Sequence, residues 1–329
     1  MKYTASTTLN FRTRIFSLFV PATMMILCSV AGTNAAWGDF DTSFGFQGVT
    51  VDPITGYVPL STAIQPDGKI LVTGYRTTSF GRKGFFLRRY LSDGQLDTSF
   101  GTNGAALGPE TNSFTTDYRG VTIVVQPHGK IAVAGWSNGC YAVWQFSSTG
   151  IKDKTFGQNG LLSLTSYPAT GYPELNIQSG KLLLSLGKQD VNTHLVALVR
   201  LTSIGALDGT FGNSGESLTG VSGAKGSGTV IEPDGKITIG GGKFDDPNAK
   251  GLERKLANGQ NDPTFSAPPN FSFGIIFPGL VKMANAKYAI RTGNLAGNGS
   301  ITFYLERASS GFRNHAAPKF SPIKATANF

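Results

Sequence analysis

Short apolar segments alternate with turn residues along most of the chain. One series of five segments lies at residues 70–75, 131–136, 182–186, 237–240 and 288–290. A second series follows it, at 85–91, 141–146, 195–201, 252–256 and 301–305, and a third precedes it, at 60–65, 121–126, 175–178, 229–232 and 280–284. Apolar segments of this length between turn residues are typical of β-strands. The pattern therefore predicts an all-β protein built from repeated groups of strands.

A turn motif separates the third series from the first. It reads Gln-Pro-Asp-Gly-Lys-Ile from Gln65, with close copies from Gln126 and Glu232 and shortened copies near Gln178 and Asn285. Proline presets the first corner of a turn, aspartate tolerates the second, and glycine adopts the positive φ that returns the chain. The motif predicts a β-hairpin in each copy, with positive φ at two glycines, Gly68 and Gly235.

A second motif, Asp-x-Ser/Thr-Phe-Gly, repeats in phase with the first. Its phenylalanines are spaced by 56, 56, 55 and 54 residues, at Phe44, Phe100, Phe156, Phe211 and, in a degraded copy, Phe265. We interpret the repeated aspartates as turn-capping residues, because every copy needs the same turn; they are Asp41, Asp97, Asp153, Asp208 and Asp262. With a strand after each copy, the unit has four antiparallel strands in about 55 residues, which is the pattern of one propeller blade.

Five copies of each motif predict a five-bladed β-propeller of four-stranded antiparallel blades. The chain begins with the second motif and ends after the strand that should precede it, so the last blade lacks an outermost strand. We expect the N-terminal strand at 49–51 to pair with 301–305 and close the ring. The alternative is an open array with exposed edge strands, which would promote aggregation.

The motifs also resemble a known family. The phrases at 65–70 and 93–101 are similar to the bacterial delta-sixty repeat, and the resemblance covers about residues 39–312. The last unit departs from it, since Ser266 and Pro269 replace glycines. The resemblance implies an exported β-propeller of largely undefined function, and it transfers no catalytic residues.

Composition agrees with a turn-rich β protein. Of 329 residues, 43 are glycine and only 15% are charged, which disfavours helical bundles. Residues 1–36 contain three basic residues and no acid. Within this segment the basic residues precede an apolar run, and small residues come last, as in a secretory signal peptide. We expect cleavage after Ala35 or Ala36. A permanent membrane anchor is the alternative. We therefore expect a signal peptide at 1–36, a propeller domain at 37–312 and a tail at 313–329.

The expected mature chain is exported, to the periplasm or the extracellular space, and has no membrane span. It carries a net charge of about +6, since removal of Lys2, Arg12 and Arg14 leaves 26 basic and 20 acidic residues. These charges are too scattered to predict nucleic-acid binding. Cys140 becomes the only cysteine, so no intramolecular disulfide can form.

Alternate connections of antiparallel strands lie at opposite ends of each blade. The near-constant turns share one end, and loops of variable sequence share the other. Aromatic residues in or beside these variable loops are candidates for a surface that binds a protein or a glycan: Tyr57, Phe80, Phe114, Tyr118, Tyr167, Tyr172, Phe271, Phe273 and Phe277. Any one of them could instead pack its loop onto a blade. A non-enzymatic binding or adhesion module is the leading hypothesis.

Catalytic chemistry has weaker support in the sequence. No spacing of histidines or cysteines indicates a metal site, and no motif indicates a cofactor. A propeller glycan hydrolase or lyase would place carboxylates from different blades near the channel, and Asp117 and Glu174 form the one plausible pair. This enzyme is the alternative, and a structural component of the cell envelope is the third hypothesis.

Overall fold

The computed structural model describes residues 40–52, 54–77, 81, 83–108, 117–189, 194–222, 228–241, 251–266, 279–283, 287–292 and 302–307. Within these ranges the secondary structure consists of strands and turns, with no helix. Contacts divide the chain into two units, Met1–Thr50 and Val51–Phe329. The all-β prediction is confirmed.

The described strands form five antiparallel sheets in chain order. Sheet 1 contains β1 (Tyr57–Ile64), β2 (Ile70–Thr77), β3 (Lys83–Tyr90) and β4 (Ala105–Leu107). Sheet 2 contains β5 (Tyr118–Val125), β6 (Ile131–Ser137), β7 (Cys140–Phe146) and β8 (Leu161–Pro168). Sheet 3 contains β9 (Glu174–Gln178), β10 (Lys181–Gln189), β11 (His194–Leu201) and β12 (Glu216–Ser222).

The remaining two sheets have three described strands each. Sheet 4 contains β13 (Gly228–Ile231), β14 (Ile237–Gly240) and β15 (Leu252–Lys255), and sheet 5 contains β16 (Gly279–Met283), β17 (Lys287–Thr292) and β18 (Thr302–Arg307). In every sheet each strand pairs with its neighbour in sequence. First strands of successive sheets also pack together, β1 with β5, β5 with β9, β9 with β13 and β13 with β16. This is the up-and-down connectivity of propeller blades.

The Pro-Asp-Gly motif forms the predicted hairpin. In the first copy the Gln65 N–H donates to the carbonyl of Lys69 at 2.8 Å, and Gly68 has φ of 82°. Gly235 has φ of 81° in the corresponding turn of sheet 4. The prediction of positive φ at these two glycines is confirmed.

Apolar side chains fill the spaces between adjacent sheets. Between sheets 1 and 2, the ring of Phe85 stacks on that of Trp144 with centroids 4.8 Å apart. Between sheets 2 and 3, buried Tyr141 and Leu184 belong to one large cluster. The cluster between sheets 3 and 4 is smaller and includes Ile239. The core therefore lies between the sheets, as it does between propeller blades.

The unit that ends at Thr50 contains the first copy of the Asp-x-Ser/Thr-Phe-Gly motif. Asp41 caps a turn through the backbone N–H of Ser43, at 2.9 Å, as the motif predicts. The predicted strand at 49–51 is not among the strands, and Val49 makes only an isolated bridge with Phe46. Turns and an isolated bridge therefore stand where the sequence predicts a strand. The predicted closure of the ring by this segment stays a prediction.

Candidate functional site

The two repeated motifs meet at one end of the sheets and form a buried polar network. Around Asp97, Ser99 donates to one carboxylate oxygen from its backbone N–H, at 3.1 Å, and from its hydroxyl, at 2.5 Å. Arg89 donates to the other oxygen at 2.9 Å, and Lys69 lies 3.2 Å from it. The aspartates therefore cap turns, as predicted, and also bind cations.

The same network recurs in other copies of the repeat. Asp208 pairs with Arg200 and Lys181, both at 2.7 Å. Asp262 pairs with Arg254 at 2.8 Å and Lys236 at 3.6 Å. The repeated motif predicts the aspartates but not these arginines, although each arginine precedes its aspartate by eight residues in the sequence.

Hydrogen bonds lower the pKa values of these carboxyl groups. For Asp97, the hydroxyl of Ser99 is the largest cause, and together with Lys69 and Arg89 it lowers the pKa to about 2 although burial acts in the opposite direction. Burial also opposes the shift at Asp208, but hydrogen bonds from Lys181, Thr210 and Arg200 hold its pKa well below the usual range. Asp97 and Asp208 are therefore ionised at neutral pH.

The network joins each sheet to the next one. Gly101 donates its backbone N–H to the carbonyl of Thr149 in sheet 2 at 2.8 Å, and Arg89 donates to the carbonyl of Ser148 at 2.7 Å. A Cβ atom built on Gly150 would lie 2.7 Å from the ring of Phe100, so this turn must be glycine. The repeated motifs are thus structural connections between blades, and this end is not a candidate functional site.

Sheet 2 departs from the network at one position. Gln145 stands where sheets 1, 3 and 4 have arginine, and only Lys130 pairs with Asp153, at 2.7 Å. The amide of Gln145 donates to Gln126 at 3.1 Å, but its buried Oε1 accepts no hydrogen bond. The connection between sheets 2 and 3 therefore lacks the guanidinium group that an arginine supplies at this position in sheets 1, 3 and 4.

The opposite end, where the variable loops attach, carries a row of stacked cations and rings. We call Lys83, Tyr75, Arg119, Trp136 and Tyr172 the cation–aromatic ladder. Lys83 Nζ lies 4.9 Å from the Tyr75 ring centroid. The guanidinium carbon of Arg119 lies 5.3 Å from that centroid and 4.7 Å from the Trp136 centroid. The rings of Trp136 and Tyr172 are 5.4 Å apart. Such contacts are within the range of cation–π and aromatic attraction.

Strand pairing and backbone hydrogen bonds position the ladder. Arg119 and Trp136 are cross-strand neighbours on β5 and β6, so their side chains share one face of sheet 2. The indole N–H of Trp136 donates to the carbonyl of Gly171 at 3.0 Å. Asp117 accepts from Arg119 Nη2 at 2.7 Å and from Nε at 3.2 Å. The outermost ring, Tyr172, is 39% exposed, so the ladder reaches solvent.

Of the predicted aromatic residues, Tyr172 is the one that the structure places in the ladder. Tyr118 and Tyr167 lie in β5 and β8 rather than in loops, and both are buried because they pack against the core. Tyr57 is the first residue of β1, half-buried, and its ring lies 4.9 Å from that of Phe86. The other candidates fall outside the described residues: Phe80, Phe114, Phe271, Phe273 and Phe277.

Four ladder residues are not among the site residues predicted from the sequence: Lys83, Tyr75, Arg119 and Trp136. The apolar segments at 70–75 and 131–136 predict strands that end at Tyr75 and Trp136, and no motif singles out Lys83 or Arg119. Their relation depends on strand register and on packing between sheets, neither of which is visible in a list of loops. The available signal was the position of Trp136 at the end of a strand, next to a variable loop.

The two candidate catalytic carboxylates make different contacts. Asp117 pairs with Arg119, and its buried Oδ1 accepts no hydrogen bond. Glu174 begins β9 and faces sheet 4, where Thr229 hydrogen-bonds to Ser185 at 2.6 Å. Burial raises the pKa of Glu174 to about 7, although hydrogen bonds from Thr229 act in the opposite direction. Glu174 is thus partly protonated near neutral pH.

Metal sites and membrane-spanning helices are absent from the described ranges. No three side chains of His, Cys, Asp or Glu cluster there as metal ligands would. The same residues contain no helix of the length and apolarity that a membrane crossing requires.

Comparisons with known proteins bear on the fold. Residues 65–100 match the model of a β-propeller domain of unknown function, DUF5122. No curated protein matches the chain. The chain is similar to the crystal structure of a protein of unknown function from Dyadobacter fermentans DSM 18053, with 13% identity, a TM-score of 0.43 and coverage of 74% of each chain.

Two enzymes are among the other structural matches. A glucose dehydrogenase has 16% identity and a TM-score of 0.37, with coverage of 75% of this chain and 86% of that one. A GH43 endo-arabinanase from Bacillus licheniformis has 13% identity and a TM-score of 0.34, with coverage of 77% and 94%. Matches this distant carry no information about activity. The family match over residues 65–100, together with the repeated antiparallel sheets, supports a family of β-propeller repeats.

Proposed function

We propose that this chain is an exported, non-enzymatic binding or adhesion module whose ligand surface is the cation–aromatic ladder. The carrying observation is the continuous row of contacts from Lys83 to Tyr172, at the end of the sheets where the loops vary. Its ligand is a glycan or a protein. Rigid aromatic and guanidinium groups are the side chains that dominate binding energy at such surfaces.

The position of the ladder supports this role. Its members come from sheets 1 and 2 and from the segment before sheet 3, so a ligand would contact several repeats at once. Strand pairing holds Arg119 and Trp136 in place before a ligand arrives, which reduces the entropy lost on binding. The network at the opposite end gives the sheets a rigid base.

We also propose that the chain forms a closed five-bladed ring and that it is exported. Five sheets in series favour a five-bladed ring, in which the segment preceding β1 supplies the last strand. The resemblance to the delta-sixty repeat and the predicted signal peptide at 1–36 support export, to the periplasm or the cell exterior. The expected partners are extracellular glycans or proteins.

Binding to immobilised glycans and surface proteins tests the function. Tyr172→Ala removes an exposed ring and should weaken binding about tenfold, because interface aromatics typically contribute this much. Ile151→Ala is the control, since Ile151 is 59% exposed and lies after β7, in a turn at the end of the sheets opposite the ladder. Equal losses in both variants, or binding by neither protein nor glycan, would reject the ladder as the ligand surface and favour a structural role.

Glu174 supports a second candidate function, a glycan hydrolase or lyase. A buried carboxyl group with a pKa of about 7 is suited to donate a proton to a leaving group. Asp117 would supply the second carboxylate. Turnover of a glycan that disappears in Glu174→Gln and in Asp117→Asn would establish this enzyme, whereas saturable binding without turnover excludes it for the ligands tested.

A further inference from the structure

Two cations of the ladder converge on one ring. Lys83 Nζ and the guanidinium carbon of Arg119 lie 4.9 and 5.3 Å from the centroid of Tyr75. The ring attracts both cations, and each positive charge also attracts an anion. An anion bound beside either cation would offset its charge.

The described residues do not balance this charge. Asp117 neutralises Arg119 through a 2.7 Å ion pair. Lys83 donates to a neutral hydroxyl, that of Thr77, at 3.3 Å. The contrast with the other end of the sheets is clear, because Lys130 and Lys181 each lie 2.7 Å from a carboxylate there. Among the described residues, Lys83 therefore has no carboxylate partner, and the ladder has one more cation than its single carboxylate partner, Asp117, balances.

The geometry of Arg119 leaves part of its guanidinium available. The two hydrogen bonds that it makes within the described residues use Nε and Nη2, both to Asp117. The stacking of Tyr75 and Trp136 fixes the plane of the group, so Nη1 is held in a defined direction. A guanidinium held in this way is well suited to bind a carboxylate or a sulfate.

We propose that the ligand of the ladder is an acidic polysaccharide, whose carboxylate or sulfate groups bind Lys83 and Arg119 while a sugar ring packs on Tyr172. This inference rests on the proposed function and specifies its ligand class. The exposed ring of Tyr172 beside Trp136 favours a sugar over an acidic peptide, because the C–H groups of a sugar ring pack well on an aromatic face. Carboxylate and sulfate share the required charge and acceptor oxygens.

The test measures binding of the mature protein to four polymers by calorimetry or biolayer interferometry. Polygalacturonate and dextran sulfate distinguish the two anions, carboxyl-reduced polygalacturonate supplies the neutral sugar backbone, and polyglutamate supplies the charge without sugar. We expect at least one acidic polysaccharide to bind at least tenfold more tightly than the neutral polymer and polyglutamate. Raising the salt concentration from 50 to 500 mM should weaken that binding severalfold, because salt screens exposed charges.

Matched charge variants locate the contact. Lys83→Gln should weaken binding of the acidic polysaccharide about fivefold, whereas Lys154→Gln should not change it, since Lys154 is an exposed lysine beside a constant turn. Arg119→Lys keeps the charge but loses the planar group, and should also weaken binding. Thermal melting of each variant separates lost binding from lost folding. Equal effects of Lys83→Gln and Lys154→Gln would overturn the assignment of the anion to the ladder.

The remaining outcomes separate this inference from the function on which it rests. If the neutral polymer binds as tightly as the acidic one and Tyr172→Ala abolishes both, the binding module stands and the acidic ligand is wrong. If polyglutamate binds most tightly, the partner is an acidic protein and the polysaccharide is wrong. If the mature protein binds no polymer and no surface protein, both proposals fail.

Discussion

At the scale of residues, glycine conformation controls each hairpin. Gly68 has φ of 82°, a region in which a β-branched side chain is strained. Gly68→Val should therefore lower the free energy of unfolding by about 1–2 kcal/mol, measured by thermal or urea denaturation.

Gly209→Thr is the control for this substitution. A Cβ atom built on Gly209 meets no atom within 4 Å, and the first two copies of the motif have threonine at the equivalent position, Thr42 and Thr98. We expect no loss of stability in this variant. An equally stable Gly68→Val protein would contradict the argument from φ.

Gln145 offers a stabilising substitution. In sheets 1 and 3, arginine at this position bonds to the aspartate of its own motif and to a carbonyl of the following sheet. Gln145→Arg should restore these bonds at the connection between sheets 2 and 3 and raise stability by about 1 kcal/mol. Differential scanning calorimetry would measure the change as a higher Tm.

The converse substitution is Arg89→Gln. It should cost about 1–3 kcal/mol, because it leaves the buried carboxylate of Asp97 with one cation instead of two. A destabilising Gln145→Arg together with a harmless Arg89→Gln would show that the network does not connect the sheets energetically.

At the scale of elements, β9 combines a regular hairpin with a buried carboxyl group at its first residue. The pKa of Glu174 is raised from 4.5 to about 7, chiefly by burial. A raised pKa means that the protonated form favours folding fully below pH 4.5, and that this contribution is lost as the pH rises towards 7. Glu174→Gln removes the titration while preserving the shape of the side chain.

Urea denaturation at several pH values tests this expectation. Between pH 4.5 and 7.5, the wild type should lose on the order of 1–3 kcal/mol of stability relative to Glu174→Gln. Asp67→Asn, which changes an exposed carboxylate in a turn, should follow the wild type over the same range. Parallel pH profiles for the wild type and Glu174→Gln would mean that Glu174 is ionised throughout.

Elements also explain which aromatic residues could be predicted. The apolar segments predicted the described strands well, because alternating burial and turn residues are local properties. The prediction that Tyr118 and Tyr167 contribute to an exposed loop surface was wrong, because both lie at the loop ends of strands, β5 and β8, and are buried there. Whether a ring at a strand end points to the core or to solvent depends on register and on the next sheet.

At the scale of the whole molecule, closure of the ring can be tested by truncation. A protein beginning at Asp52 would lack the segment proposed to complete the last blade. It should aggregate or melt well below the mature chain, because an unpaired sheet edge exposes backbone hydrogen-bonding groups. Removal of residues 316–329 should matter much less, since these residues contain neither motif.

The two truncated proteins together test which terminal segment completes the last blade. Size-exclusion chromatography and thermal melting would report aggregation and stability for both proteins. Equal stability would remove the case for closure by the N-terminal segment. Greater damage from the C-terminal deletion would mean that the tail supplies the missing strand.

The sequence by itself determined the all-β class, the repeat length, the hairpins and the turn-capping aspartates. These features depend on interactions within a few residues, such as the positive φ of Gly68 and the bonds between Asp97 and Ser99. Each recurs in several copies, so the repetition strengthens the local signal. The same repetition suggested which turns share one end of the sheets.

Only the tertiary structure decided how the functional groups combine. Tyr75, Arg119 and Trp136 come from two sheets, and their contacts arise because the sheets pack face to face with Arg119 and Trp136 in register. The packing of sheet 3 on sheet 4 likewise buries Glu174, which lies beside Thr229 of sheet 4. Such contacts join residues distant in sequence, and their energies depend on burial and on the neighbouring charges, which no local pattern specifies.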